Sequence, residues 1–574
     1  NKHYLCTLLF NLITLKHKDM TRHNITKIIA IAAMAMGAAA SADACTNLLV
    51  GKNASADGST IISYAADAHI LYGDLQMLPA ADHKPGTMRV INDWDTGIKH
   101  GEIPEAAHTY AVVGNINEHQ LTIAESTWGG REELWESDGI IDYGSLIYIA
   151  LQRCRTAREA LKLMTDLVQE YGYCSEGESF SIGDPNEIWV LDLIGKGKKE
   201  KGAVWVAQRV PDDCIAGHAN QARIHRFPLN DKANCIYSKD VITFARKMGY
   251  FNGKDADFDF SAAYAPADFG TLRGCDARVW SYFNRFKAGM DKYLPFINGK
   301  KGAEVMPFAV QPDRKVSVRD VQNMMRDHYE GTPFDMTQDP GAKVNYDVPY
   351  RWRPMEFKVD SVTYSMERAI ATQQTGFVFV SQMRSWLPDQ VGGCLWFGVD
   401  DAATSPLMPF YCKSNSVPEC LSEDNGSMLE YSETSMFWIV NRIAQFAYLR
   451  YDRIGAEVRS VIDEYENDMI RQVSVQDGIA GAMIGADEPK LAALYLDTFC
   501  KTNASNLLEK WKKLDRYLLV KYIDGNIKVQ NEDGSFKDDS FDSKIPAYPI
   551  QEDYSDKWKE NVVRDHGDVL RIPD

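Results

Sequence analysis

A cysteine that becomes the first residue of a chain carries two reactive groups on one carbon. Cys45 is placed for this, because Ala42-Asp43-Ala44 just before it reads as an A-x-A cleavage site. Cutting after Ala44 would set a new α-amine, of pKa about 7.7–8.0, beside a thiol of about 8.5. Such an amine can take the proton of its own side chain, directly or through water, which activates the sulfur as a nucleophile. The chemistry this predicts is acyl transfer through a thioester. Two other readings of Cys45 stay open. It could be a lipidated cysteine, although Ala42 and Asp43 depart from the bulky aliphatic and small residues of a lipidation signal. It could also be half of a disulfide: even pairing is possible for the ten cysteines from Cys45 onward, and Cys412 and Cys420 are near enough in sequence for a local pair.

Rival chemistries are poorly represented. There is no H-E-x-x-H and no C-x-x-C, and His218 and His225 lack further ligands at a metal-binding spacing. The serines of GESFSIGD alternate with Phe180 and Ile182, which suits a strand and not a G-x-S-x-G elbow. No phosphate-binding loop is present.

Elements must hold Cys45 in place. Thr46–Val50 and Thr60–Tyr64 read as strands around a turn at Asp57-Gly58, so the new terminus opens a hairpin and is expected at a sheet edge. A second hairpin turns near Asn117–Gln120, and a third at Asp184-Pro185-Asn186, with AVWVAQRVP from Ala203 continuing it. Residues 144–172 have helical period, as do 434–465 and 490–520, while TGFVFVSQMR and GGCLWFGVDD read as strands. Hairpins followed by helices predict an α+β fold with antiparallel sheets.

The 574 residues are 45% hydrophobic and 25% charged, an ordinary globular composition. Five basic and two acidic residues lie in the first 44, so without them the formal charge deepens from −17 to −20. So acidic a body is ill suited to nucleic acid, and no nucleic-acid partner is expected. Residues 1–19 precede the first methionine and are expected to be translated upstream sequence. Residues 20–44 then form a signal peptide: Arg22 and Lys27 are the basic region, and Ile28 to Ala40 the apolar one. No later run is long and apolar enough to span a bilayer. A periplasmic or secreted location follows as an expectation, with one large domain over 45–520 and a polar, loop-rich segment over 521–574. A homo-oligomer stays open.

The chain resembles the C69 dipeptidases, N-terminal-nucleophile hydrolases distantly similar to penicillin V acylases and bile-salt hydrolases. The resemblance rests on CTNLLVGKNASADGST from Cys45, Asn117-Glu118, GESFSIGDPNEIWVLDLIG from Gly177, AGHANQARI, RDHYEGTPFD from Arg326, RAIATQQT from Arg368 and LPDQVGGCLWFGVDDAATSPLMPFY from Leu387. It implies an αββα sandwich with the nucleophile at the start of a central strand. It also implies hydrolysis of small peptides without metal or organic cofactor. Residue by residue, it implies that Cys45 attacks and that Asp67 orients the amine. Asn220 helps form an oxyanion hole, with Thr127 beside it, and Arg278 supports the nucleophile. Substrate contacts are expected from Tyr64 and Glu125, and a substrate carboxylate could meet Arg278 or Arg384. One departure stands out: family members often carry Arg-Asn-Glu-Asp after the first hairpin, where this chain has Tyr64-Ala65-Ala66-Asp67. The resemblance leaves open an acylase acting on N-acyl amides, and a lipid-anchored binding protein that has lost the chemistry.

Overall fold

Buried backbone must find hydrogen-bond partners, and here two antiparallel sheets supply most of them. The computed structural model describes residues 45–573, apart from residues 136–137, 199, 340–341, 343–346, 352–354, 413–415 and 552. The expected upstream extension and signal peptide lie outside the described residues.

In chain order the principal elements begin with strands β1 (Thr46–Val50), β2 (Thr60–Asp67) and β3 (Thr122–Trp128). Helices α1 (Tyr143–Arg153) and α2 (Ala157–Tyr171) follow, then β4 (Gly177–Gly183), β5 (Ile188–Gly195), β6 (Ala203–Arg209) and β7 (Ile215–His218). Helix α3 (Ala277–Phe286) precedes β8 (Thr375–Met383) and β9 (Gly393–Val399), and α4 (Met436–Leu449), α5 (Ala456–Gly485) and α6 (Pro489–Lys521) come last. The helical pattern over 144–172 resolves into two helices because Thr156 caps the second, its side chain accepting from the Glu159 amide. The described residues after 521 are largely irregular but contain the helix Asp556–His566, none of whose residues is buried.

The first sheet has the order Ala309–Val310, β7, β1, β2, β8, β9, Met408–Phe410. Cys45 therefore does not stand at a sheet edge. The first hairpin shows only the β2 side of β1; β7, far along the chain, pairs on the other side with Asn47 opposite His218. The second sheet runs Cys235–Tyr237, β6, β5, β4, β3 and then three two-residue strands. Alternation along β5 shows how the layers meet. Ile188, Val190 and Ile194 join the apolar cluster that contains Leu48 and Ile62 of the first sheet. Trp189, Leu191 and Leu193 join the cluster of Leu146, Ile149, Leu161 and Met164 from α1 and α2. The strand is buried on both faces, so it reads as a nearly unbroken apolar run.

The one charge in that run is Asp192. It accepts from the Ser179 hydroxyl at 2.6 Å and from the Ile224 amide at 2.8 Å, tying down the loop that follows β7. Burial pushes its carboxyl up to about 6. Helix α3 packs on the first sheet against β1 and β7, and Tyr282 donates to the Leu49 carbonyl at 3.2 Å. The cysteines from Cys45 to Cys500 are free thiols. The Cys412–Cys420 pair that nearness in sequence would allow is absent, and Cys412 Sγ instead donates to the Ala111 carbonyl at 3.1 Å. No helix among the described residues is long and apolar enough to cross a membrane.

At the start of β8 the register shifts by one residue between Thr375 and Phe377. This bulge sets Thr375 opposite Asp67 while Phe377 pairs with Ala66. Gly376 is the extra residue, and a Cβ on it would lie 2.5 Å from Leu71 Cγ. Replacing Gly376 by Ala is expected to cost about 1–3 kcal/mol through overpacking. A lowered thermal midpoint in the Gly376→Ala variant, with Leu71→Ala recovering part of it, is the measurement that checks this.

Candidate active site

Strand pairing brings three of the expected residues to one point. Cys45 sits just before β1, and Tyr64 lies opposite Asn47 on β2. Neighbouring β3 in the second sheet carries Glu125. The Cys45 Sγ lies 3.4 Å from the Tyr64 hydroxyl and 3.4 Å from Glu125 Oε1. The Tyr64 hydroxyl donates to the same carboxylate oxygen, and the Asn47 amide donates to the Glu125 carbonyl. The thiol is buried. Burial first, then the charges of Glu125 and Asp67, push it well above its ordinary range, against a hydrogen bond from Tyr64. Burial likewise raises Glu125 and Tyr64. Phe377 and Phe379 pack against the Tyr64 ring at 5.6 and 5.5 Å between centroids, which fixes the direction of its hydroxyl.

Arg278 closes the opposite side. Its Nη1 donates to the Cys45 carbonyl and to the Thr46 hydroxyl, both at 2.7 Å. Its Nη2 donates to the Ala219 carbonyl at 3.2 Å and to Asn220 Oδ1 at 2.8 Å, and its Nε to the Gly274 carbonyl at 2.7 Å. Every N–H of the guanidinium has an acceptor. Burial, and then the charge of Arg368, bring Arg278 down to about 10, so it stays charged at neutral pH. Asn220 has a φ of 56°, a left-handed conformation that asparagine tolerates better than most residues. Because Arg278 occupies Oδ1, the amide nitrogen is the end left to donate, and it reaches the Thr127 carbonyl at 2.6 Å. The Thr127 hydroxyl donates to Glu178 Oε2 at 2.9 Å.

Asp67, at the end of β2, is buried and has both oxygens engaged. Oδ2 accepts from Arg368 and Oδ1 from the Thr375 hydroxyl, each at 2.6 Å. Burial raises its carboxyl, while Arg368, Thr375 and Arg278 pull it back. Arg368, Thr375 and Glu178 were missed as site residues from sequence. Arg368 and Thr375 open and close the RAIATQQT motif, and Glu178 follows the glycine that begins GESF. Nothing local signals a contact between residues 301 positions apart, as Asp67 and Arg368 are.

Other candidates fall elsewhere. Arg384 is not open to a substrate carboxylate, since it is buried against Asp477 and the Gly392 and Val391 carbonyls. His218 is held between the Ser126 and Ser181 hydroxyls at 2.6 Å each, and burial brings it down to about 3, which leaves it neutral. His225 pairs with Asp259.

An α+β chain with a buried thiol among carboxylates, a clamped arginine and an oriented amide fits a hydrolase of acyl compounds. The profile of peptidase family C69 matches residues 44–92 and 76–464. The chain belongs to peptidase family C69, and it is therefore a peptidase. Among similar curated proteins is a probable dipeptidase of Latilactobacillus sakei, 27% identical over 440 residues, which cover 73% of this chain and 84% of that protein. A probable dipeptidase of Salmonella dublin is 28% identical over 393 residues, 64% of this chain and 81% of its own. A dipeptidase of Bifidobacterium longum is 26% identical over 532 residues, covering 85% and 90%.

Asp67→Ala would take the carboxylate from a buried ion pair. The expected loss of stability is about 3–5 kcal/mol, and combining it with Arg368→Met should recover part of that loss. Denaturant melts of the two single variants and the double variant check this; a simple sum of the single effects would show that the pair is not coupled.

Proposed function

We propose that the protein is an exported cysteine dipeptidase whose nucleophile is Cys45, freed as the N-terminal residue by cleavage after Ala44. The layering of helices, two sheets and helices is then the αββα sandwich of the N-terminal-nucleophile hydrolases. The observation that carries the reading is the bridge made by Arg278, which binds the Cys45 carbonyl and the Asn220 side chain with one guanidinium. It ties the candidate nucleophile to a neutral amide donor, the group that a developing oxyanion requires.

In this reading the α-amine of Cys45 takes the thiol proton, and the sulfur adds to the carbonyl carbon of the first residue of a dipeptide. Asn220 Nδ2 turns from the Thr127 carbonyl to the oxyanion, while Thr127 holds it in place beforehand. The ammonium then protonates the leaving amine of the second residue. Water attacks the thioester, and its proton returns through the same amine. Asp67 steadies the charge of the amine, and Tyr64 and Glu125 face the substrate. Tyr64 lacks the charge of the arginine that the family resemblance leads one to expect. Arg278 and Arg368 bring positive charge to this part of the site.

Cleavage acts as the switch. While Cys45 remains bonded to Ala44, burial and the Glu125 and Asp67 carboxylates hold its thiol protonated. A free α-ammonium adds a positive charge on the same carbon and lowers the thiol again. The uncut form is therefore expected to alkylate slowly at neutral pH, speeding up about tenfold per pH unit until its raised pKa is reached. The cut form should react quickly near pH 7. The experiment is the intact mass and N-terminal sequence of the exported protein before and after iodoacetamide, alongside dipeptide hydrolysis. Rapid alkylation of an N-terminal Cys45 with parallel loss of hydrolysis is the expected result. A lipid on Cys45, or full activity in Cys45→Ala, would defeat the proposal.

Arg278→Lys keeps the charge but loses the fork that fixes Asn220. Its kcat is expected to fall by about 10²–10³, the usual effect of losing an oxyanion donor. Kinetics of Arg278→Lys beside Asn220→Ala checks this: the double variant should be little worse than either alone.

A further inference from the structure

Glu125 and Glu178 stand on one face of the second sheet. Thr127 lies opposite Glu178 in the β3–β4 register, and Glu125 is two residues before Thr127, so the two carboxyls are diagonal neighbours. Glu125 is 3% exposed and Glu178 0%. Two of their four oxygens are engaged: Glu125 Oε1 by Tyr64 and the thiol, Glu178 Oε2 by Thr127. The other two, Glu125 Oε2 and Glu178 Oε1, are buried and have no hydrogen-bond partner. The two carboxyls are close enough to act on each other, and the charges that weigh on them are each other, Asp95 and Glu176, all negative. No lysine or arginine among the described residues pairs with either. The titratable groups facing them are Cys45, Tyr64, Tyr143, Tyr173, Asp95 and Glu176.

Two buried carboxylates side by side on one sheet face, with no cation, cannot both stay ionised. A single proton between Oε2 and Oε1 satisfies both orphan oxygens. We infer that Glu125 and Glu178 hold one proton between them, and that Glu178 is a positioning residue that fixes Glu125 as a single negative charge for the α-ammonium of a peptide substrate. This rests on the dipeptidase reading above. An acyl carbon bonded to Sγ carries its α-nitrogen two bonds away, and Glu125 Oε1 is 3.4 Å from that sulfur. A free ammonium there meets an unmatched charge, whereas an N-acyl group brings none and leaves Glu125 buried and unpaired. Asp67 is less suited, because Arg368 and Thr375 already hold its two oxygens. Glu178 also anchors Thr127, which accepts from Asn220, which accepts from Arg278. The same carboxyl thus joins the ammonium end of the site to the oxyanion end.

The test uses the processed full-length protein as wild type, Glu178→Gln and Glu178→Ala. Each is assayed across the pH range of activity with a dipeptide and its N-acetyl counterpart, and kcat and KM are separated. Infrared spectra of the ligand-free wild type and Glu178→Gln, recorded as pH differences, report the proton without needing activity. The wild type is expected to show a protonated-carboxyl band that persists at neutral pH and is absent from Glu178→Gln. Glu178→Ala should raise KM for the free dipeptide roughly tenfold or more, the scale of one hydrogen bond to a charged group, with a smaller change in kcat. Its discrimination against the N-acetyl substrate should narrow. Glu178→Gln, which still donates to Glu125, should recover most of the KM and lack the alkaline inflection that loss of the shared proton is expected to give the wild type. No such band in the wild type, or a Glu178→Ala enzyme with wild-type KM and discrimination, overturns the inference. If Glu178→Ala does not fold, the band and the pH profile of Glu178→Gln decide. A wild type that shows the band but hydrolyses no dipeptide overturns the substrate reading, with the shared proton upheld.

Discussion

A guanidinium removed from water must find an acceptor for each of its N–H groups, or its desolvation is left unbalanced. Arg278, fully buried in helix α3, meets that demand with two backbone carbonyls on the α3 side and β7 loop, the carbonyl of Cys45, one hydroxyl and one side-chain amide. Its acceptors come from β1, from the loop after β7 and from the turn before α3. Those segments cannot shift independently without breaking a charged hydrogen bond, the strong kind. The first sheet and its helix layer are held in register at the point where the chain begins its first strand. The direction of the Asn220 amide then follows from which of its two ends the arginine leaves free.

Charge is distributed around this point with little slack. Asp67 is balanced by Arg368, while Glu125 and Glu178 share the remaining acidity without a cation of their own. The thiol sits between the two groups. In a low-dielectric interior each added or removed charge acts strongly on its neighbours. A change of charge at Cys45 is therefore felt across the whole cluster, and no part needs to move for it to be felt.

Much of this was legible in the sequence, for local reasons. The hairpin at Asp57-Gly58, the helices of the C-terminal half and the apolar strands announce themselves through period and turn residues. Cys45 stood out because its neighbours formed a cleavage pattern, and Asn220 and Arg278 because of a family likeness in the surrounding motifs. The failures are non-local. Cys45 was expected at an edge because the partner of β1 on its far side is β7. Nearness in sequence left a Cys412–Cys420 pair open, while Cys412 turns to the Ala111 carbonyl. Arg384 is an ordinary surface-type residue by sequence, and only the packing of α5 shows that Asp477 has claimed it. Glu178 looked like one polar residue in an alternating strand. Its meaning depends on β3 lying beside it, and on Thr127 falling opposite in that pairing.

The order in which the first sheet is assembled has its own consequence. β2 finds its outer neighbour only in β8, and Asp67 meets Thr375 and Arg368 only there. During synthesis the chain therefore emerges for more than half its length with β1 and β2 unable to complete their sheet. Long-range pairing of this kind slows folding, because loop closure must precede any reward from contact. The same delay leaves the outer edge of β2 unpaired until residues beyond Arg368 have arrived, an exposed strand edge of the kind that invites mispairing.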